Sequence, residues 1–524
     1  MGPGIRLADR LDDVPPGRAT AADPTDLPTR GGPRPGRPRL VIYSLAAIVL
    51  ASTAGAAGAP PAGAPGLNRE DRRDLRRYAT DTWSSFEAMT RAGELPSDGL
   101  LLKDDGASRP TEKTTPTDVA SYLWSTLAAD RLGIIKADEA GRRLDRTLTA
   151  LARLHRVHGF FLDRLDPRTG EPLTKSPDDG KPIRPLISAV DNGWVAAALI
   201  MVANARPELR ARAEAILKPM DFGFFYEPYD PADPVKHPGQ LHGTYRPDDR
   251  SFGTFHDLVN TEPRIASYIG LARGQIPPEH YYRIGRTVKP GAGPDPKRTP
   301  EGETRAYLGV EVFEGHYTYR GMRIVPSWGG SMFEALMVPL FVPEARWAPR
   351  SWGVNHPLYV RAQIEHGLAE ARYGFWGFSP ASRPGGGYKT YGVSALGVDP
   401  NGYGSGERAG ESRQGVVTPH ASFLALPFAP REAMDNLRAL ADRFPIYGPY
   451  GFRDSVNVSS GVVSDRVLAL DQGMIMAAIA DALADDAMQH AFSDGPVEAV
   501  VRPLIAREEF TAGEADQAGA RRSP

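Results

Sequence analysis

The stretch that decides the fold is VDNGWVAAALIMVA, residues 190–203, in which an acidic start precedes a continuous apolar run. A helix that is apolar on every side lies in the interior of a protein, so this stretch predicts a buried helix. The same pattern, a polar or acidic start followed by an apolar run, recurs in residues 115–129, 260–272, 328–341, 418–428 and 470–484. The sequence therefore predicts six interior helices.

Helices of a second kind lie between these runs and are rich in arginine. In Ala137–His158, leucines recur at steps of three and four residues, which is typical of a surface helix with one buried stripe. The other segments of this kind are Arg69–Arg91, Glu208–Leu217 and Glu432–Arg443. Interior and exterior helices that alternate predict an all-α (α/α)6 barrel, in which six inner helices are surrounded by six outer ones. Its long loops are expected to hold a few short strands, mainly in Tyr226–Asn260.

The inner helices of such a barrel run in one direction, so all six N-termini open at the same end. Polar residues that are far apart in the sequence are then expected to share one rim. These residues are Asp118, Asp191, Glu262, Ser331, Glu334, His420 and Asp471.

The composition excludes several classes of function. The 524 residues include 62 basic and 64 acidic side chains, which give a net charge of −2, so there is no basic surplus for binding a nucleic-acid backbone. The absence of cysteine excludes disulfides, thiolate metal sites and cysteine nucleophiles. The eleven histidines show no metal-ligand spacing such as HExxH. We therefore expect no metal, no cofactor and no nucleic-acid partner, and a monomer that acts on a neutral or weakly charged substrate.

The first 59 residues are expected to stand apart from the folded domain. Met1–Arg39 is rich in proline, glycine and arginine, and it is followed by an apolar run at 40–50 and by Ala57-Gly58-Ala59. A positive flank, a short apolar run and an A-x-A pattern are typical of a secretory signal. The alternative is an uncleaved membrane anchor at residues 40–50, and in both cases the folded part lies outside the cytoplasmic membrane. We predict one folded domain at 68–508 and a disordered tail at 509–524.

Glu262 and Asp191 are the leading candidates for acid–base chemistry. Cleavage of a glycosidic bond needs one carboxylic acid to protonate the leaving oxygen and a second group to activate water or attack directly. Glu262 lies in the first turn of a predicted inner helix, where a glutamate can equally serve the helix dipole. Asp191 directly precedes its helix, where an aspartate is most often an N-cap. Asp118 and Asp471 have the same two interpretations.

Glu334 and Trp328 also have competing interpretations. Ser331-x-x-Glu334 matches a capping box, in which both side chains satisfy backbone donors at the start of a helix. Trp328 precedes two glycines, so it is either a flat surface on which a sugar ring can stack or a residue of the core.

Three further ring side chains are candidates for binding. Tyr388 and Tyr391 lie in a glycine-rich segment, where they can either stack on a sugar or anchor the loop. His420 can orient a carboxylate or bind a hydroxyl group.

Ser327-Trp-Gly-Gly-Ser-Met-Phe-Glu-Ala-Leu-Met337 resembles the S-W-x-G-S-M-F-E-Y-L-M signature of the glycoamylase-like domain family. Endo-β-1,2-glucanases and the transglycosylating domain of cyclic β-1,2-glucan synthases are similar to it. Six other segments match in the expected order, and the matches extend from about residue 75 to 485. They are Thr115–Thr117, Ser188–Asp191, Thr261–Ile269 with Ala272–Gly274, Thr418–Ala421, Tyr450–Phe452 and Leu470–Gly473.

This resemblance implies an (α/α)6 barrel that acts on β-glucan without a metal. By position, Glu262 would be the general acid, and Asp191 and Glu334 would be carboxylates of the cleft. The implied substrate contacts are Trp328, Tyr388 and His420. Further candidate contacts are Arg264, Tyr391, Asp454 and Asp471, and the general base stays open among Asp191, Asp454 and Asp471.

Three departures from the family pattern concern the linkage that is recognised. Ala335 replaces a tyrosine, Asp118 replaces an asparagine, and the stretch 160–166 is less aromatic than in the family. We therefore expect an extracellular glycoside hydrolase that cleaves a β-glucan, with β-1,2-glucan as one candidate. The alternatives are a glucan transglycosylase, a non-catalytic carbohydrate-binding protein of the cell envelope and a polysaccharide lyase.

Overall fold

Each apolar run of the sequence contains a buried helix. The structure, a computed structural model, describes residues 66–90, 94–103, 107–288, 299–398 and 415–514. Its α-helices are α1 (Arg69–Met89), α2 (Pro116–Arg131), α3 (Ala137–Arg153), α4 (Ala189–Ala205), α5 (Arg210–Leu217), α6 (Arg264–Ala272), α7 (Glu279–Arg283), α8 (Met332–Leu336), α9 (Glu344–Trp347), α10 (Trp352–Glu365), α11 (Pro419–Leu424), α12 (Pro430–Arg443), α13 (Ala469–Leu483), α14 (Ala487–Ser493) and α15 (Pro496–Ile505). Turns of 3-10 helix lie at Phe222–Phe225, Val338–Leu340 and Ser394–Leu396, and a π-helical turn lies at His366–Glu370.

The predicted interior helices correspond to α2, α4, α6, α8, α11 and α13. The helices α2, α4 and α13 have 16, 17 and 15 residues, whereas α6, α8 and α11 have only nine, five and six. In α8 the reason is local, because Pro339 follows closely and has no amide hydrogen with which to continue the helix. The apolar pattern thus predicted the position of these helices better than their length.

These six helices pack in the order in which they occur in the chain. Helix α2 packs on α4, α4 on α6, α8 on α11 and α11 on α13, and α13 returns to pack on α2. Residue Arg264 at the start of α6 joins it to α8 by donating to the carbonyl oxygens of Glu334 (3.4 Å) and Ala335 (2.9 Å). Neighbours in sequence are therefore neighbours in space, and the last helix meets the first.

Arg264 is buried, and all five of its N–H groups have partners. Besides the two carbonyl groups of α8, the side chain donates to the backbone oxygen of Thr261 at 2.8 Å. Its remaining two donors bind Glu344 Oε1 and Oε2 at 2.8 and 2.9 Å. Burial by itself would raise the pKa of Glu344, but Arg264 and His356 lower it to about 2. This buried ion pair ties α6, α8 and α9 together.

Short strands occupy many of the connections. They are Gly99–Leu102, Ser108–Pro110, Arg156–Val157, Phe160–Phe161, Ile187–Ser188, Thr244–Arg246, Ser251–Phe252, Ser327–Trp328, Ala381–Ser382, Tyr388–Lys389, Gly397–Val398, Val416–Val417, Tyr447–Gly448, Gly451–Phe452, Val456–Asn457 and Arg466–Leu468. Four of them lead into the interior helices α4, α8, α11 and α13 within three residues. Because a paired strand fixes the direction of the chain, these strands help to fix where each helix begins.

One larger sheet was not predicted from the sequence. Glu301–Tyr307 and Val310–Tyr319 form an antiparallel hairpin, and Met322–Ile324 and Gly513–Glu514 extend it to four strands. The expectation of only a few short strands is wrong here, since the two long strands have seven and ten residues. The hairpin turns at Leu308 and Gly309, which both have positive φ (50° and 76°), as a two-residue turn between twisted strands requires. The chain is therefore helix-rich with a substantial sheet.

The first residues of the predicted tail, 509–514, pack on this sheet. Phe510 is buried, and Gly513–Glu514 pairs with Met322–Ile324. The preceding residue, Glu508, is fully buried, and both Arg286 and Tyr281 donate to its carboxylate. Residues 515–524 and the predicted N-terminal region 1–59, with its candidate signal or anchor at 40–50, lie outside the described residues. Among the described residues, no helix is both long and apolar enough to cross a bilayer.

We expect that replacing Arg264 by methionine lowers the free energy of unfolding by about 3–5 kcal/mol, because Glu344 is left buried and charged without its partner. The double variant Arg264→Met/Glu344→Gln should recover part of this loss. Urea denaturation of both variants measures the effect, with Arg212→Ala, which breaks a half-exposed ion pair, as the control. A loss in Arg264→Met no larger than that of the control would show that the buried pair does not hold the helices together.

The stability of the sheet is expected to depend on pH through Glu314. Burial raises the pKa of this carboxyl to about 8, although the nearby Arg286 opposes the shift. Between its usual pKa of 4.5 and pH 8, folded Glu314 keeps a proton that the unfolded chain releases. The free energy of unfolding should therefore fall as pH rises through this window, by up to about 1.4 kcal/mol per pH unit.

The variant Glu314→Gln should reduce this slope, measured by urea denaturation at several pH values. Glu303→Gln is the matched control, because Glu303 pairs with Glu314 across the hairpin but is exposed. Equal slopes for the wild type and Glu314→Gln would contradict the assignment.

Candidate functional site

A cleft of about 600 Å³ lies at the starts of several interior helices. Its lining residues are Asp98, Thr115, Thr117, Asp118, Asp163, Asp191, Glu262, Tyr388, Leu468, Leu470 and Asp471. Four of the acids predicted to share one rim, Asp118, Asp191, Glu262 and Asp471, are therefore brought together from the beginnings of α2, α4, α6 and α13. More than 350 residues of sequence separate the first of these acids from the last.

Four acidic residues occupy the same position in their helices. Asp118, Asp191, Glu334 and Asp471 are each the third residue of α2, α4, α8 and α13, respectively. A carboxylate in the first turn is favoured by the helix dipole, which stabilises its ionised form. Three of these side chains, those of Asp118, Asp191 and Asp471, line the cleft.

Glu262 differs from this group, because it precedes Pro263, the N-cap of α6, and so lies outside the helix. The prediction that Glu262 lies in the first turn of its helix is therefore wrong. Its side chain is only 2% exposed, and Trp194 Nε1 of α4 donates to Oε2 at 2.9 Å. The backbone N–H of Glu262 donates to Glu334 Oε2 at 3.4 Å. Glu262 thus sits between α4 and α8, in contact with both.

Asp191 is not the N-cap of its helix. Ser188 has that role, and its side-chain oxygen accepts a hydrogen bond from the backbone N–H of Asp191 at 3.2 Å. The carboxylate of Asp191 instead accepts a hydrogen bond from the hydroxyl group of Thr117 on α2. Its carboxylate is therefore directed into the cleft and not into its own backbone.

The predicted capping boxes form to different extents at Asp118 and Glu334. Asp118 completes a capping box with Thr115, whose backbone N–H and hydroxyl groups both donate to it at 2.9 and 2.8 Å. At Glu334 only one of the two hydrogen bonds of the predicted capping box forms. The side-chain oxygen of Ser331 accepts it from the backbone N–H of Glu334 at 3.1 Å. The carboxylate of Glu334 turns toward Glu262 instead.

Two of the helices begin with the same kind of triplet, Asp191-Asn192-Gly193 and Asp471-Gln472-Gly473. Asn192 exchanges two hydrogen bonds with the backbone of Phe161, and Gln472 donates to the backbone oxygen of Phe452 at 2.9 Å. The amide in each triplet thus fastens a neighbouring short strand to the helix.

The glycine of each triplet allows a close helix contact. A Cβ atom at Gly193 would lie 3.1 Å from the Cβ atom of Ala266 in α6, and one at Gly473 would lie 2.7 Å from the Cβ atom of Ser121 in α2. A side chain at Gly473, and with less force at Gly193, would push the neighbouring helices apart. The three residues together place one carboxylate in the cleft and fix the two surfaces beside it.

His420, Asp454 and Asp471 form a buried cluster whose ligand atoms lie within 4.8 Å of one another. His420 Nδ1 is 3.5 Å from Asp471 Oδ2, and burial lowers the pKa of His420 to about 3, so the ring is neutral. Asp454 accepts a hydrogen bond from the backbone N–H of Ser382. A histidine and two carboxylates could in principle coordinate a cation, but both aspartates also have other partners within the protein. Of the three, Asp471 lines the cleft.

The three aromatic residues that were predicted to contact the substrate lie in different environments. Tyr388 lines the cleft and is half-buried, whereas Tyr391 is buried against Ala381 and Val416 and serves the packing of its loop. Trp328 is half-buried and packs on Leu258, Tyr317 and Val398.

Arg264 is not available to a substrate, because all five of its donors are used inside the protein. Its expected role as a substrate contact is therefore replaced by the structural role described above.

Several residues of the site were missed from the sequence. Trp194 and Thr117 were counted only as parts of apolar or capping segments, although each binds a cleft carboxylate. Asp98 and Asp163 lie beside short strands, where no helical period marks them. The only sequence signal for Asp163 is that it falls in the stretch 160–166, which departs from the family pattern.

Comparisons with known proteins agree with the resemblance found in the sequence. Residues 298–496 match the family model Glycoamylase ("Putative glucoamylase"), and residues 77–223 match a model described as "Protein of unknown function (DUF3131)". The cyclic β-(1,2)-glucan synthase NdvB of Rhizobium meliloti (strain 1021) is 23% identical in an alignment 577 residues long, which includes gaps and covers 82% of this chain and 18% of NdvB. The resemblance to the glycoamylase-like domain is thereby confirmed. The chain spans less than a fifth of the length of NdvB.

Solved structures show the same fold. The endo-β-1,2-glucanase of Chitinophaga pinensis, in complex with sophorotriose and glucose, has a TM-score of 0.60 and 16% identity over 83% of this chain and 98% of its own. The endo-β-1,2-glucanase of Talaromyces funiculosus, in complex with sophorose, has a TM-score of 0.60 and 11% identity over 85% and 91% of the two chains. At these identities the likeness concerns the fold.

The hydrogen bond from Trp194 to Glu262 gives a testable prediction. An indole N–H favours the ionised carboxylate, so removing it in Trp194→Phe should make Glu262 hold its proton to higher pH. If Glu262 acts as an acid, the alkaline limb of the pH–rate profile should move up by about one pH unit, since a hydrogen bond to a charged group contributes about 1.5 kcal/mol.

Trp124→Phe is the matched control for this experiment. Trp124 is buried next to Trp194, and its Nε1 donates to the backbone oxygen of Gly473 at 2.9 Å. Both variants lose one ring and one hydrogen bond, but only Trp194→Phe affects Glu262. The same limb position in both variants would mean that Glu262 does not set the alkaline limb.

Proposed function

We propose that this chain is a glycoside hydrolase that cleaves a β-glucan, with β-1,2-glucan as the first candidate, by general acid–base catalysis without a metal. We further propose that its interior helices form the inner ring of an (α/α)6 barrel. The cyclic packing order of α2, α4, α6, α8, α11 and α13 supports the barrel, with the other helices outside it. The observation that carries the function is the convergence of Glu262, Asp191 and Asp471 on one cleft.

In this proposal Glu262 protonates the leaving glycosidic oxygen. It is the most suitable acid of the cleft, because it is buried and lies outside the helix whose dipole would favour its ionised form. A general acid needs a carboxyl that stays protonated near the working pH. Burial against the ring of Trp194 acts in that direction, while the hydrogen bond from the indole N–H opposes it.

Asp191 is the carboxylate that we propose as the second catalytic group. It lines the same cleft, its side chain is not used for capping, and Thr117 fixes its orientation. As the third residue of α4 it lies in the first turn, where the helix dipole favours a negative charge, which suits a base or a nucleophile. Asp471 occupies the equivalent position in α13 and is the first alternative for the second catalytic group. Asp454 is the second alternative.

The substrate class follows from the character of the cleft. Among the residues that the structure describes, its lining includes six carboxyl groups and no lysine or arginine. An anionic polysaccharide would be repelled by such a surface, which argues against the lyase alternative. The hydroxyl groups of a neutral glucan can donate hydrogen bonds to the same carboxylates.

The N-terminal segment, with its signal-like pattern, supports an extracytoplasmic location for the enzyme.

The variant Glu262→Gln tests the proposal. It should lower turnover of linear β-1,2-glucan by about 10²–10⁴-fold, because a general acid contributes that much, while binding of the glucan persists. Reducing-sugar release measures turnover and calorimetry measures binding. Asp481→Asn is the control, since burial raises the pKa of Asp481 well above its usual value and the amide replaces a neutral carboxyl on the same helix as Asp471.

Three results would decide among the alternatives. Unchanged turnover in Glu262→Gln removes Glu262 from the mechanism. Binding of glucans by the wild-type chain without any turnover favours a carbohydrate-binding protein. A glucan transglycosylase is favoured by the similarity to a cyclic glucan synthase over most of this chain, and it would be recognised by products longer than the substrate when an acceptor sugar is added.

A further inference from the structure

The buried cluster of His420, Asp454 and Asp471 is assembled from three segments of the chain. His420 is the second residue of α11, Asp471 is the third residue of α13, and Asp454 lies between two short strands. One side-chain ligand atom from each residue lies within 4.8 Å of the other two. A short motif such as HExxH cannot reveal this arrangement, because each of the three residues comes from a different segment.

Contacts of the backbone join these three segments to one another. The strand Val456–Asn457, which follows Asp454, pairs with Val416–Val417, which precedes α11. Gln472 of α13 donates to the backbone oxygen of Phe452 at 2.9 Å, and α11 packs on α13. The three side chains are therefore brought together by the fold itself, before any ligand binds.

His420 is the member of the cluster that points to a ligand. Its side chain is 1% exposed, and in the part of the chain that the structure describes neither Nδ1 nor Nε2 has a hydrogen-bond partner. Nδ1 lies 3.5 Å from Asp471 Oδ2, in a geometry that makes no hydrogen bond. A buried polar atom without a partner costs folding free energy, and a cation between the ring and the carboxylate would satisfy this nitrogen.

The distances and the kinds of donor atom suit a small transition cation. Ligands about 2.1 Å from a tetrahedral Zn²⁺ are roughly 3.4 Å apart, and His420 Nδ1 and Asp471 Oδ2 are 3.5 Å apart. An imidazole nitrogen favours Zn²⁺ and similar transition cations, whereas Mg²⁺ and Ca²⁺ prefer oxygen ligands. The cluster therefore matches Zn²⁺ better than Mg²⁺ or Ca²⁺.

The hydrogen bond to Asp454 is compatible with a bound cation. The backbone N–H of Ser382 donates to this carboxylate. An ionised carboxylate has two oxygens with about four lone-pair positions, so it can accept a hydrogen bond and coordinate a cation together. Such a hydrogen bond also orients the ligand, as is usual around metal sites in proteins.

We propose that His420, Asp454 and Asp471 bind a divalent transition cation of the Zn²⁺ class, and that the bound cation inhibits the enzyme. Asp471 lines the cleft, so the cation would lie at the wall where the glucan enters. It would engage both carboxylates that are alternatives to Asp191 as the second catalytic group. The binding site is independent of the proposed function, whereas the inhibition rests on that function, whose acid–base chemistry uses no metal.

Calorimetric titration of the EDTA-treated full-length chain with ZnCl₂ tests the site. We expect the wild type to bind Zn²⁺ and the variant His420→Phe to weaken this binding by at least about 100-fold, since loss of a group that only supports a metal ligand already costs 10–100-fold. His490→Phe is the matched control, because His490 is exposed on α14 and lies 3.1 Å from a carboxylate oxygen of Asp494. This control should bind Zn²⁺ as the wild type does.

Two further measurements do not depend on His420→Phe. Asp471→Asn keeps the size of the side chain but removes a charged ligand, so it should also weaken Zn²⁺ binding in the titration. In the wild type, Zn²⁺ should raise Tm more than Mg²⁺ does, because a ligand that binds the folded chain stabilises it. Equal Zn²⁺ affinities of the wild type and His420→Phe would overturn the inference, and so would binding of Mg²⁺ as tight as that of Zn²⁺.

Inhibition is measured separately, by the release of reducing sugar from linear β-1,2-glucan. Zn²⁺ should raise KM of the wild type, and EDTA should restore it. Unchanged kinetics at saturating Zn²⁺ would overturn the inhibitory role. A chain that binds Zn²⁺ through His420 but cleaves no β-glucan would support the cation site and overturn the proposed function together with the inhibition.

Discussion

The buried pair of Arg264 and Glu344 is the interaction on which the placement of the site depends. Helix α8 has only five residues and α6 only nine, so neither has enough length for apolar packing alone to fix its start. Arg264 compensates by binding the last carbonyl groups of one helix from the first residue of the other. The two segments that carry Glu262 and Glu334 are thereby held side by side. An ion pair without exposure to water can do this only because every donor is satisfied, since a single unpaired group at this depth would cost more than the contact gains.

At the other interior helices, short local features of the chain fix where each helix begins. The triplets that begin α4 and α13 use a glycine for close approach, an amide for the neighbouring loop and a carboxylate for the cleft. The short strands before α4, α8, α11 and α13 set the point at which each helix starts. The cleft is therefore built from the first turns of separate helices, and its geometry depends on where those helices begin more than on how long they are.

The sequence predicted the parts of the structure that follow from periodicity. Runs such as 190–203 are apolar on every side, and this property alone placed the interior helices and the acids before them. The hairpin at 301–319 was missed because one of its strands is largely exposed and its turn, Leu308-Gly309, carries only one glycine. The role of Arg264 could not be predicted, since a buried arginine is recognised only when its partner Glu344, 80 residues away, is known to face it. Thr117 and Trp194 were missed for the same reason, because their partners lie on other helices.

The carboxyl groups of the cleft differ in their position relative to the helices that carry them. Asp118, Asp191 and Asp471 lie in first turns, where the unsatisfied N–H groups of the helix favour a negative charge. Of these, Asp118 is engaged in the capping box of its own helix, whereas Asp191 accepts a hydrogen bond from Thr117 of α2 and Asp471 lies 3.5 Å from His420. Glu262 lies before the helix, buried against an indole ring, where its ionised form gains less from the helix dipole. The proposed function needs one carboxyl that gives a proton and one that is ionised, and this difference in position favours Glu262 for the first role and an aspartate for the second. The start of α6 therefore matters for the proposal as well as for packing, because a helix that began two residues earlier would include Glu262 in its first turn.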